Sequence, residues 1–151
     1  MTRTIAAAMV CTALLVAAPT VARDVAPPTD ISIRDAIWGA ATDPERGVFG
    51  RFRMKVVETG RQDGTIYLNS ERDYRDQRNL SVDIPAKVQK QLVTIYGTDA
   101  DRALRGRTIL VTGVAQRVKI AFYGDKGQLT SKYYYQTHVV IVDPRQIQLA
   151  E

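Results

Sequence analysis

The chain has 151 residues, 45% of them hydrophobic and 25% charged, with a net charge of +5 at pH 7. That suits one domain with its own apolar core, and mild basicity alone does not choose between a polyanion, a membrane surface and simple solubility as its reason. The single cysteine, Cys11, excludes an intrachain disulfide framework.

The first residues read as a targeting segment. Met1 to Thr4 carry one charge, Arg3; Ile5 to Pro19 are almost wholly small and apolar, and Thr20-Val21-Ala22 closes the run. This is the layout of a secretory signal peptide with cleavage after Ala22. The alternative, an uncleaved anchor, is disfavoured because the run falls short of the roughly 20 residues that span a bilayer. Ala8-Met9-Val10 before Cys11 does not form a lipobox. The expectation is a periplasmic or secreted protein without thiols. Its charge drops from +5 to +4 once the leader, with its lone Arg3, is removed.

Residues 23–47 read as a lead-in. Val25-Ala26-Pro27-Pro28 is a flexible entry, and Ser32 stands at the N-cap of a helix predicted from Ile33 to about Ala40. Ile33, Ile37 and Trp38 are its expected buried face. From Val48 the period changes to two: Phe52, Met54 and Val56 share one side, Arg51, Arg53 and Lys55 the other. Gly60 to Gly64 is predicted as a turn, followed by strands at Thr65–Asn69 and Leu80–Ile84. Pro85 opens a second helix that places Val88, Leu92 and Ile95 together and stops at Gly97. After a polar link come a long strand from Arg107 to Phe122, with Gly113 as a bend or bulge, a polar loop, and a last strand through Tyr133 to Val142. Gln146 to Leu149 adds a short alternation.

Three strands, a helix and a long final pair, in a mainly β chain, resemble the OB-fold, a five-stranded Greek-key barrel with a helix between strands 3 and 4. The phrases "GTIYLNSERDY", "LSVDI", "LRGRTILVTGVAQ" and "VVIVDPRQIQL" are similar to the successive strands of OB-fold domains of the nucleic-acid-binding type in exported bacterial proteins. The resemblance covers residues 48–149, and it makes the predicted N-terminal helix a decoration outside a barrel domain of residues 48–151. It implies a ligand face on strands 2 and 3 with flanking loops, for single-stranded nucleic acid or oligosaccharide. By position the candidate ligand-binding residues are Arg51, Arg53, Arg61, Tyr67, Asn69, Arg72, Tyr74, Arg75, Tyr123 and Tyr133, with Ser81 on the same face.

Catalytic chemistry has little to stand on. Glu71, Asp73 and Asp76 alternate with Arg72, Arg75 and Arg78, which suits a solvated, self-paired turn better than a cation loop. His138 is the only histidine and sits inside the last strand, where a wall position is expected. No nucleophile elbow, paired-histidine metal motif or phosphate-cradling loop occurs. Neither an enzyme nor a cofactor is expected, a divergent hydrolase being the second alternative. Two binding readings stay open: a basic and aromatic groove for a single strand, weakened by Asp73, Asp76 and Asp83, and a polar interface for an envelope protein. Tyr133-Tyr134-Tyr135 is a second aromatic platform whose middle ring points away from its neighbours.

Overall fold

Strand periodicity governs almost everything after the first helix. The computed structural model describes Pro28 and residues 30–150. The expected signal peptide and its cleavage point lie outside the described residues. Eight strands form one mixed sheet: β1 (Asp30–Ile31), β2 (Val48–Lys55), β3 (Glu58–Gln62), β4 (Thr65–Asn69), β5 (Leu80–Ile84), β6 (Thr108–Tyr123), β7 (Leu129–Val140) and β8 (Ile147–Leu149). Three short helices accompany them: α1 (Ile33–Thr42), α2 (Ala86–Tyr96) and α3 (Ala100–Leu104). The path runs β1-β2-β6-β7-β5-β4-β3, with β8 added on β6; β1/β2 and β5/β7 pair in parallel and the other neighbours antiparallel.

The count differs from the expected five strands for a local reason. The first expected strand stops at Lys55, steps through Val56-Val57, and resumes as β3 across the residues read as a turn. Only Asp63 (φ 49°) and Gly64 (φ 77°) turn the chain, and two successive positive-φ residues are what a tight hairpin needs. The step is itself held from both sides. Val56 N–H donates to the Arg107 carbonyl and Val57 N–H to that of Asn69, both at 2.8 Å, and the Gly106 N–H returns to Val56 at 2.8 Å. Part of the lead-in also pairs, since Asp30 and Ile31 lie beside Arg51 and Phe52.

Alternation fills the core as the sequence predicts. Phe52, Met54 and Val56, Ile66 and Leu68, and Leu80, Val82 and Ile84 are buried with Ile109, Val111, Val139 and Ile141. Val88 and Leu92 of α2 and Leu104 of α3 close one end. Two helix readings need correction. Helix α1, capped by the Ser32 hydroxyl accepting from Asp35 N–H, packs through Ala36 and Ala40. Those small residues let the helix lie close on the sheet and swing Trp38 outward to 76% exposure. Likewise Ile95 on α2 is exposed at 57%, and α3 occupies the stretch expected to be a polar link.

Gly113 is neither a bend nor a bulge. The β2–β6 register passes unbroken through Gly50↔Gly113, and the irregularity in β6 falls between Ala121 and Tyr123. What requires glycine is approach: a Cβ at position 113 would lie 2.7 Å from Val139 Cγ1 and 3.2 Å from Gln146 Nε2. Gln146 is itself fixed. Its amide donates to the Thr112 carbonyl at 2.8 Å, and its oxygen accepts from Val142 and Asp143 N–H. Gly113→Ala is therefore expected to destabilise the domain by about 1–3 kcal/mol through overpacking, read as a lower urea midpoint at unchanged slope. Gly64→Ala, where an added Cβ meets open space but φ is positive, serves as the comparison for pure backbone strain.

Candidate ligand face and its anchored loop

Residues paired across strands share a face, and alternate positions along each strand stay on it. Starting from Tyr67 and Asn69 on β4, the registers Tyr67↔Asp83, Asn69↔Ser81 and Ser81↔His138 carry one outer face across β5 to β7. From His138 the same face continues through Gln136 and Tyr134 toward the hairpin tip, opposite Gln116, Val118 and Ile120 of β6. This polar face backs directly onto the apolar core, and much of it is covered.

The cover is the loop between β4 and β5. Asn79, only 2% exposed, donates from Nδ2 to Asn69 Oδ1 (3.2 Å) and Ser81 Oγ (3.0 Å), while its oxygen accepts from Glu71 N–H at 3.0 Å. Ser81 donates to Asn69 at 2.6 Å, and Ser70 Oγ accepts from Leu80 N–H at 2.8 Å. The charged stretch above this anchor pairs with itself. Asp73 accepts from Arg75 N–H at 2.9 Å; Asp76 accepts from both the backbone and the guanidinium of Arg78. Those two contacts hold the Asp76 carboxyl down at about 2.

A second polar group lies beside it. His138, 8% exposed, sets Nδ1 2.7 Å from Asp83 Oδ2 and Nε2 2.7 Å from Gln136 Oε1, while Gln136 Nε2 donates to the Tyr134 hydroxyl at 2.8 Å. Which ring nitrogen carries a proton follows from how the Gln136 amide is oriented. Tyr67 meets the imidazole edge-on at 6.3 Å. Burial, then the Asp83 charge, pushes the Tyr67 hydroxyl above its ordinary value. Burial does the same to Tyr134, against the opposing pull of Arg75, which also hydrogen-bonds it. Tyr74 lies under the Arg75 guanidinium at 5.0 Å. Loop, strand face and hairpin therefore meet at Tyr74, Arg75 and Tyr134. Ser81, the hydroxyl beside His138 in register, bonds to Asn69 and Asn79.

The β6–β7 hairpin has a different opposite side. Tyr133 and Tyr135 are 51% and 37% exposed and meet edge-on at 5.5 Å. The Arg117 guanidinium lies 3.7 Å over the Tyr135 ring and the Lys119 ammonium 4.1 Å over Tyr133. Tyr123 is exposed near the tip, and Phe122 and Tyr134 sit 5.5 Å apart on the other side.

The structure therefore brings together Tyr67, Asn69, Tyr74 and Arg75, with Arg72 exposed on the same loop. It sends others elsewhere. Arg51 pairs with Asp30 at 2.9 Å, and both Arg51 and Arg53 lie on β2, separated from β5 by β6 and β7. Arg61, paired across from Ile66 and so on the opposite face from Tyr67, donates to Asp101 at 2.7 Å and Asp99 at 2.8 Å, which raises its own pKa and lowers that of Asp101. Tyr123 and Tyr133 belong to the hairpin. Sequence reasoning missed Gln136, Arg117 and Lys119, and took Asp83 only as a charge opposing phosphate, because their contacts come from cross-strand register. The tyrosine run was the signal that pointed toward Arg117 and Lys119.

Two outcomes test the loop. Asn79→Ala strips partners from Asn69, Ser81 and the Glu71 N–H; a loss of about 1–3 kcal/mol is expected, with faster amide exchange confined first to residues 71–78. In a carboxyl titration by NMR, Asp76 is expected near 2, below its ordinary 3.8. A depressed acid contributes stability fully above the ordinary value and loses it as pH falls through the folded one. Arg78→Ala is expected to raise that midpoint while leaving it below 3.8, because the backbone N–H still donates.

Comparison with known proteins adds little. No protein-family model matches the chain, and no curated protein matches it. Among solved structures it is similar to a chain assigned as an aspartyl-tRNA synthetase from Leishmania major Friedlin, with 14% identity and a TM-score of 0.46, over 88% of this chain and 23% of that one.

Proposed function

We propose that the chain is an exported, non-enzymatic binding module of the OB type that holds single-stranded nucleic acid, with no cofactor. The fold reading rests on β2 and β3 acting as one strand bent at Val56-Val57. That bent strand pairs with β6 through its first half and with β4 through its second, while β5 and β7 run in parallel. This order of pairing supports the reading of a five-stranded barrel with α2 and α3 between its third and fourth strands. Export rests on the apolar run from Ile5 and the small residues ending at Ala22.

One observation carries the ligand reading: exposed rings with cations stacked on them, Arg117 on Tyr135 and Lys119 on Tyr133, on the side of the β6–β7 hairpin opposite Tyr134. Single strands are held by aromatic faces for the bases and by cations tracking the phosphates. The hairpin supplies both, and its further charges, Lys126 and Lys132 against Asp125, leave it basic. Arg72 and Arg75 extend that character onto the loop. Of the acids nearby, Asp76 is paired with the Arg78 guanidinium, so it opposes phosphate less than its formal charge suggests.

Fluorescence anisotropy with labelled single-stranded DNA and RNA of about 12 nucleotides, within the span one such fold covers, tests this at two salt concentrations. Salt-sensitive binding is expected. Tyr133→Ala and Tyr135→Ala are each expected to weaken it about 5- to 150-fold, the equivalent of about 1–3 kcal/mol per stacked base. Arg51→Ala, away from the site, leaves it unchanged. Absence of binding at low salt overturns the reading in favour of an oligosaccharide or an envelope protein, each distinguished by its own titration.

A further inference from the structure

The outward turn of Trp38 leaves a cleft of about 600 Å³ between α1 and the far side of the β4–β5 loop. Its floor is apolar, formed by Ile33, Ile37 and Trp38, and its rim carries Arg34, Lys55 and Arg78 against one acid, Glu71. The size lies in the range of small-molecule sites, which are apolar with a few placed polar groups. The charges decide the chemistry. Arg78 is committed to Asp76 at 2.7 Å and stands near Glu71, and Arg34 lies 3.6 Å from Asp35. The Lys55 ammonium has no ion pair or hydrogen bond among the described residues and lines the cleft.

We infer that this cleft is a second site, separate from the nucleic-acid face, for a small amphipathic carboxylate: an aromatic or aliphatic body against the Trp38 indole with its acid group on the Lys55 ammonium. An indole exposed at 76% offers a flat apolar platform, and a compact ammonium at the rim selects an anion over a neutral or cationic analogue.

Trp38 is the only tryptophan, so its emission reports the cleft directly. The purified protein is titrated with 4-phenylbutanoate, 4-phenyl-1-butanol and 4-phenylbutylamine, whose absorption leaves the indole band free. A saturable blue shift with the acid is expected, about fivefold or less tighter than with the alcohol, the most an exposed pair contributes. Lys55→Glu, an exposed change that leaves the fold intact by circular dichroism, is expected to reverse the order so that the amine binds better than the acid. The inference is overturned by no saturable shift, by equal response to all three probes, or by indifference to Lys55→Glu. A blue shift that grows with protein concentration alone also overturns it, because a second copy of the chain is then the occupant. Oligonucleotide binding is measured on the same variant and is expected to be unchanged, so failure here leaves the other site standing.

Discussion

The parallel pairing of β5 with β7 is the contact on which the rest depends. It joins Leu80↔Thr137 through Asp83↔Val140, segments more than fifty residues apart, and parallel neighbours require a crossover. Here α2, α3 and all of β6 make it. Once that register is set, Val82 and Val139 face the core together while Ser81 and His138 face outward together. Asp83 then lies within 2.7 Å of the imidazole. A slip by one residue would turn the valines to solvent and the acid into the core, so the apolar pattern and the polar cluster specify the same register from opposite sides. Such long-range closure makes folding slow relative to a helical bundle of equal size.

Polar groups on that face are an expense unless they are matched, since a buried donor or acceptor left alone costs about 1–3 kcal/mol. Among the described residues, every buried side-chain nitrogen and oxygen has a partner. Asn79 accounts for much of this, because one amide serves Asn69, Ser81 and the Glu71 N–H at once. The eight charged and polar residues above it contribute little by their own surface pairing. Their order comes from the anchor beneath them.

Alternation made the inner side of the chain legible. Phe52, Met54, Ile66, Leu68, Val82 and Ile84 could be assigned before any coordinates, because apolar residues at period two leave one solution. Helix faces were less legible. Val88 and Leu92 were read correctly on α2, but Trp38 and Ile95 fit a helical stripe and are exposed, and on α1 Ala36 and Ala40 do the packing; size alone misleads where small residues permit close approach. The binding side was legible only in part. Tyr67 and Asn69 followed from the same alternation, but Arg51, Arg53 and Arg61 were grouped with them by position in the resembled fold, and register puts the first two on a strand beyond β6 and β7 and Arg61 on the face opposite Tyr67. Nor does spacing show that a histidine 55 residues from an aspartate will meet it.

The β4–β5 loop stands between two surfaces of different chemistry. Through Tyr74 and Arg75 it touches Tyr134 and the hairpin; through Ser70, Glu71, Gln77 and Arg78 it walls the cleft under Trp38. Both walls hang from the Asn79 anchor and from the two aspartate turns at Asp73 and Asp76. A loop of this kind has two ways to move. It can shift as a unit on its anchor, which displaces Arg75 and Arg78 together, or it can open at one turn, which disturbs one surface alone. The short turns favour the first, since each aspartate fixes the backbone two residues ahead and leaves no glycine in Glu71–Arg78 to absorb a change. The dense charge of this stretch is then the solvated exterior of a segment fixed from below by Asn79.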